Sequence, residues 1–181
     1  MVVKVDNKRS KDGVPTLNTD WWNYGGITRE VKLVTGPKNF IADHRLTLES
    51  ETTRAIAGWV QIAGAGAGES VQLSIPELGE DLSAKTDAAG RATFRFTPAK
   101  LQLWSPETPK LYEVRITHSD VTVAEHIGFR TVRTQGKQIL LNGKPVFLRG
   151  ICIHEEFPLN GGGRVNTAEK AKQLLLWAKE L

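Results

Sequence analysis

The chain has 181 residues, 40% of them apolar and 24% charged, with 17 Gly, 8 Pro and a single Cys. Lys and Arg number 24 against 20 Asp and Glu, and the formal charge of +4 is scattered rather than gathered in a basic tract, so nucleic acid and anionic membrane surfaces are disfavoured as partners. The lone Cys152 excludes an internal disulfide framework and a thiolate-rich zinc site. Met1 to Lys11 lacks the apolar core of a signal peptide, and Ala55 to Gly68 is too short and too Gly-rich to span a bilayer, so the expectation is a soluble chain of unassigned compartment.

From the N-terminus, Val2, Val3 and Val5 form one apolar run and Trp21, Trp22 and Tyr24 another, enough for two or three strands but not for a domain. From there to residue 166 the pattern is short apolar/polar alternation broken by Gly, Pro, Asn and Asp, which predicts antiparallel sheet. Candidate strands are Phe40 to Leu48, Ala55 to Ile62, Val71 to Ile75, Ala92 to Phe96, Tyr112 to Thr117 and Val121 to Ile127, with spacing that suits an immunoglobulin-type sandwich. Val71, Leu73 and Ile75 share one face, Phe94 and Phe96 another, and Tyr112, Val114 and Ile116 a third. The polar segments Thr86 to Gly90 and Thr117 to Asp120 read as hairpin connections between successive strands.

A second unit begins near Thr134. Gln138 to Leu141, Asn142-Gly143, then Lys144 to Leu148 is a strong hairpin signal, because Asn-Gly accepts the positive φ angles of a type I′ turn. The second arm continues into Arg149 to Ile153, apolar enough for a strand buried on both faces, with Cys152 as an inert core thiol. After a loop from His154 to Arg164 comes a helix, capped by Asn166 with Glu169 closing a capping box and with Ala171, Leu174, Leu175 and Ala178 as its apolar stripe. Strand, loop and helix are the first half of a βαβ unit whose partner strand is not in the sequence, so a strand edge and an apolar stripe await a cover.

Three segments, in order, resemble glycoside hydrolase family 2, the group of β-galactosidases, β-glucuronidases and β-mannosidases. They are Asp20-Trp21-Trp22-Asn23-Tyr24-Gly25-Gly26-Ile27-Thr28-Arg29, then Leu103-Trp104-Ser105-Pro106-Glu107-Thr108-Pro109-Lys110-Leu111-Tyr112, then Gly128-Phe129-Arg130 with Ile139 to Gly150 and His154-Glu155-Glu156. The resemblance implies the end of a sugar-binding jelly roll over residues 1–34, an immunoglobulin-like β-sandwich over 35–132, and the opening strand and helix of a TIM barrel over 133–181. The implied fold class is mainly β, with a sandwich flanked by remnant jelly-roll strands and by an incomplete barrel.

Members of the family hydrolyse terminal β-glycosides with retention, using two carboxyl groups about 5 Å apart. The resemblance puts both glutamates on later barrel strands, so this chain is expected to hold no catalytic residue and to be inactive as a glycosidase. His154 and Glu156 would be carbohydrate contacts in an intact enzyme, and in this chain alone they read as solvated loop residues. Glu155 and Glu156 are adjacent and diverge on an extended segment, so they do not replace the missing pair.

Other motifs carry less. Gly161-Gly162-Gly163-Arg164 lacks the Lys-Ser/Thr of a P-loop. Asp43-His44 and His118-Ser119-Asp120 set hydrolase-type residues side by side, and Gly68-Glu69-Ser70-Val71 partly echoes a nucleophile elbow. Trp59 and Trp104 read as core, whereas one of Trp21 and Trp22 is open to solvent. The four His are dispersed, so neither a metal nor a cofactor is expected. Two alternatives to the inactive fragment remain: a non-catalytic module binding glycans or a partner, including a homo-oligomer through uncovered strand edges and the Leu174/Leu175 helix face, and a small esterase-like hydrolase with a new site.

Overall fold

The computed structural model describes residues 2–13, 16–18, 26–27, 30–153 and 167–180. It divides into two compact units, Met1–Lys38 and Asn39–Leu181. In the first, the described residues form no strand or helix, so the Val2 to Val5 run is not a strand, and the Trp21, Trp22 and Tyr24 run lies outside the described residues. Val2, Leu33 and Val34 are exposed, and local order includes a turn closed by Ser10 and Gly13, a Lys8 N–H bond to the Asp6 carboxylate and a Lys32–Glu30 ion pair.

The second unit holds seven sandwich strands: β1 (Phe40–Leu48), β2 (Ile56–Ala63), β3 (Ser70–Ile75), β4 (Glu80–Lys85), β5 (Arg91–Phe96), β6 (Tyr112–His118) and β7 (Val121–Ile127). One sheet has the order β1-β2-β5 and the other β4-β3-β6-β7, all pairs antiparallel. Six of the seven strands fall where alternation places them. The seventh, β4, carries only Leu82 and Ala84 as apolar residues, too few for alternation to mark it.

The topology corrects the expectation of purely local pairing. Thr86 to Gly90 does not close a hairpin: it carries the chain from β4 in one sheet to β5 in the other, held by Asp87 Oδ1, which accepts from the N–H groups of Ala89 and Arg91 at 2.9 Å each. Here β5 pairs with β2 and β3 with β6, because crossing between layers lets each strand turn its apolar side toward the opposite sheet. Thr117 to Asp120 does close a hairpin, with Ser119 at φ 51.

The period of two is realised in the core. Ile56, Val60 and Ile62 of one sheet face Val71, Leu73, Ile75, Val114 and Ile116 of the other, every one of them at most 1% exposed. Burying a side chain of this kind stabilises by about 1.5–3 kcal/mol before entropy is counted. Phe94 joins this core and Phe96 packs at its margin. Tyr112, at the start of β6, lies 3% exposed beside Phe129, and its hydroxyl accepts from the Gln102 N–H at 2.8 Å, the tyrosine corner of immunoglobulin-like domains.

After the sandwich come β8 (Val132–Gln135), β9 (Gln138–Leu141) and β10 (Lys144–Val146), a three-stranded sheet of order β10-β9-β8. The Asn142-Gly143 turn has φ of 50 and 76, the signs a type I′ turn needs. Its second arm ends at Val146 rather than Leu148, and the buried strand expected over Arg149 to Ile153 is not formed. Phe147 is 85% exposed, Leu148, Ile151 and Ile153 are also open, and Cys152 is exposed rather than a core thiol. A strand buried on both faces needs neighbours at both edges, and among the described residues none pairs with this segment.

The helix, α1 (Ala168–Glu180), has its cap one residue later than expected. Thr167 takes that role, its hydroxyl accepting from the Lys170 N–H at 3.3 Å, while Asn166 lies outside the described residues. Glu169 is therefore not the third residue of a capping box. Its carboxyl is held below the ordinary range by a backbone hydrogen bond within the residue and by the Thr167 hydroxyl. No residue of α1 is buried, and Leu175 is 64% exposed.

Candidate functional site

His154 and Glu156, the sugar contacts implied by sequence resemblance, and their neighbour Glu155 lie outside the described residues, as does Gly161 to Arg164. The structure does describe the junction that leads toward them. It brings together two of the sequence motifs that look most distinctive, Leu103 to Tyr112 and Gly128 to Arg130, with the Asn142-Gly143 turn.

Trp104 is the meeting point. Its N–H donates to the Phe129 carbonyl at 2.9 Å, its ring lies against Gly128, and the Arg130 guanidinium sits 5.0 Å from the ring centroid. A Cβ on Gly128 would be 2.8 Å from Trp104 Cδ1, so only a glycine admits the indole this closely. Asn142 completes the arrangement: its Nδ2 donates to the Trp104 carbonyl at 3.0 Å, and its Oδ1 accepts from the Thr131 N–H at 3.0 Å. The Asn142 N–H donates back to the Thr131 carbonyl at 3.0 Å.

Glu51 fastens the same place from the sandwich side. It accepts from the Thr131 hydroxyl at 2.9 Å and lies 3.8 Å from Arg133 Nε. A backbone hydrogen bond within the residue and then the Thr131 hydroxyl hold its carboxyl below the ordinary value against desolvation, and the Arg133 charge adds a smaller pull in the same direction. Arg133 also donates to the Glu49 carbonyl at 2.9 Å, and the Glu49 carboxylate receives a two-pronged bond from Arg95 at 3.1 and 3.0 Å. A groove of about 650 Å³ runs between Leu103 to Glu107 on one side and Leu141 to Val146 on the other, with Glu107 and Lys144 attracting each other across it.

The hydrolase-like pairs do not converge. His44 Nε2 donates to Glu125 at 2.5 Å, and Asp43 accepts from the His44 backbone N–H at 2.8 Å. His118, 4% exposed, donates from Nδ1 to the Ser70 carbonyl at 3.1 Å, and the Ser70 hydroxyl faces Ser83. Among the described residues no three His, Cys, Asp or Glu side chains gather as a metal site, and no helix is long and apolar enough to cross a membrane.

Trp59 departs from its expected place. Register puts Ile56, Val60 and Ile62 inward, so the odd-numbered Trp59 lies on the outer sheet face, with Arg91 stacked 4.3 Å from its ring centroid. Trp104 is only partly buried, as a junction residue rather than a core one. Sequence reading missed the roles of Glu51, Thr131 and Asn142. The Asn-Gly dipeptide was visible as a turn, but nothing local reveals that its side chain reaches a carbonyl 38 residues away.

The arrangement is that of a β-sandwich sealed to the segment that follows it. The chain belongs to glycosyl hydrolases family 2, whose model matches residues 39–130, the sandwich itself. Bacteroides uniformis β-glucuronidase 3 superposes with a TM-score of 0.69 at 28% identity, over 95% of this chain and 22% of that one. Faecalibacterium prausnitzii β-glucuronidase gives 0.59 at 29% identity, over 78% of this chain and 23% of that one. A family 2 β-galacturonidase from Eisenbergiella tayi, at 23% identity and a TM-score of 0.69, covers 97% of this chain and 33% of that one and shares the fold. The chain thus spans between about a fifth and a third of the length of these proteins.

Proposed function

We propose that this chain supplies the immunoglobulin-like spacer and the opening of the catalytic barrel of a retaining β-glycosidase acting on β-uronides, and that on its own it hydrolyses no glycoside. The observation that carries this reading is where the family match falls: residues 39–130 form a packed sandwich whose most distinctive segments, at Trp104 and Gly128 to Arg130, are packed against one another. Relatives named β-glucuronidases at 28% and 29% identity support a uronide as the sugar. In this reading His154 and Glu156 contact the sugar in the intact enzyme, and the acid and nucleophile of the two-carboxyl mechanism are supplied from later in the barrel.

The test is turnover of chromogenic β-glucuronide, β-galacturonide, β-galactoside and β-mannoside by the 181-residue chain. No release of chromophore is expected. Turnover abolished by His154→Ala would overturn the inactivity, and retained β-glucuronide hydrolysis in a Bacteroides uniformis enzyme carrying residues 39–130 of this chain in place of its own sandwich would support the spacer role.

Self-association is a second reading, favoured by the apolar side chains left open on Phe147, Leu148 and Leu175. Light scattering checks it: a dimer that reverts to monomer in a Leu174→Glu, Leu175→Glu variant supports contact through α1, and a monomeric parent chain excludes it.

A further inference from the structure

We propose that Asn142 is a positioning residue, whose side chain fastens the β8-β9-β10 sheet to the sandwich in one orientation and so sets the direction in which the chain leaves β10. Its relevance to a sugar site rests on the proposed function; the fastening itself is a property of the residues at the junction.

The turn alone does not require asparagine. Position 142 sits at φ 50, where glycine is at least as comfortable, and a Gly-Gly turn would close β9 on β10 equally well. What asparagine adds is a donor and an acceptor on one short side chain. Oδ1 accepts from Thr131, where the chain leaves the sandwich, and Nδ2 donates to Trp104, which belongs to the sandwich side of the groove. Both partners are themselves fixed. Thr131 is 6% exposed and bonds through its hydroxyl to Glu51, while Trp104 is tied to Phe129 through its N–H and wedged against Gly128.

The result is a closed circuit running Trp104, Phe129, Thr131, Asn142 and back to Trp104. Thr131 and Arg133 hold the near strand, β8, through Glu51 and Glu49, and Asn142 ties the turn between the other two strands, β9 and β10, to Trp104 beside the start of β8. A sheet held through β8 alone can pivot about that strand, and the Asn142 bond to Trp104 adds the β9–β10 turn as a second attachment that opposes the rotation. Aspartate at 142 would keep the acceptor for Thr131 but lose the donor to Trp104, and would set a carboxylate against a carbonyl.

The test uses the full 181-residue chain. In Asn142→Gly the turn and the backbone bond to the Thr131 carbonyl survive, and the two side-chain bonds are removed. Amide exchange followed by NMR should show the Thr131 N–H exchanging about tenfold faster, with β9–β10 protection retained and the core amides of Leu73 and Ile116 unchanged. Nitroxide labels at Ser83→Cys and Lys137→Cys, in a Cys152→Ser background, should give one narrow distance distribution with Asn142, a broad one with Asn142→Gly and an intermediate width with Asn142→Asp.

An unchanged distribution and unchanged Thr131 exchange in Asn142→Gly would overturn the proposal. So would Leu73 and Ile116 exchanging faster in step with Thr131, since that pattern means lost global stability and not lost orientation. None of these readings involves a glycoside, so hydrolysis by the unmodified chain would overturn the function proposed above and leave the positioning role standing.

Discussion

Gly128 lies directly against the indole of Trp104, close enough that an added methyl would meet ring carbons Cδ1 at 2.8 Å and Cγ at 3.0 Å. The indole is a rigid ring with Arg130 on it and a backbone bond beside it, so it cannot turn away as a flexible side chain would. Gly128→Ala is therefore expected to overpack the junction and destabilise by about 1–3 kcal/mol. At roughly 4–8 °C per kcal/mol for a domain of this size, calorimetry should show a clearly lowered Tm.

Tyr112→Phe keeps the ring in its place beside Phe129 but removes the acceptor for the Gln102 N–H. Leaving a donor unsatisfied costs about 1–3 kcal/mol, while the packing contribution stays. Urea unfolding should show a lower midpoint with an unchanged m-value, and a tryptophan emission spectrum matching the parent would confirm that the fold is kept.

Glu51 gives the junction a dependence on pH. Its folded carboxyl titrates below the ordinary value of 4.5, so the folded state releases this proton more readily than the unfolded chain. The stabilisation is then fully present above the ordinary carboxylate range and is lost as pH falls through the depressed folded value. Glu113, lowered by its bond to Arg115 and by that residue's charge, adds in the same direction. Measured Tm should fall on acidification below about pH 4.5. Glu51→Gln should start lower at neutral pH and fall less steeply. A variant curve parallel to the parent's would show that Glu51 contributes nothing to the slope.

Thr167→Ala removes the side-chain acceptor at the start of α1. The cost is about 0.5–2 kcal/mol of helix stability. Because α1 buries none of its residues, the loss should appear as frayed chemical shifts from Ala168 to Ala171, with the sandwich Tm unmoved.

Much of the sandwich was legible because its faces obey a simple rule. Val71, Leu73 and Ile75, or Tyr112, Val114 and Ile116, alternate cleanly, and each strand sits within a residue or two of where that pattern puts it. The Asn142-Gly143 turn was equally plain, since few dipeptides accept two positive φ angles. Strand β4 was not legible: its Glu, Asp, Ser and Lys give little alternation, and its pairing with β3 is set by the Pro76–Leu78 turn and by Gly79 at φ 71. Strand order was hidden for a different reason, since the pairing of Leu73 with Ile116 joins positions far apart in sequence that no local pattern links.

Trp59 shows a signal that was present and overruled. Counting by twos from Ile56 through Gly58 and Val60 to Ile62 leaves Trp59 on the other face, but its size suggested core. Arg149 to Ile153 shows the reverse: its apolar composition suits burial, but composition supplies no neighbours. The candidate site was the least legible part. The segment resemblance picked out Trp104, Gly128 and Asn142, yet their shared bond network exists only in three dimensions.

His44 on β1 and Glu125 on β7 meet where the margins of the two sheets come together, each on an edge strand. Glu125 pairs in register with the core residue Val114 and so lies on the core-facing side of its edge strand, with its carboxylate open to water at the margin. A foreign strand adding to β7 would have to strip water from that carboxylate or break it from His44, a deterrent that natural sheets use against fibre growth. Clumping of the folded protein should consequently begin elsewhere than along this seam.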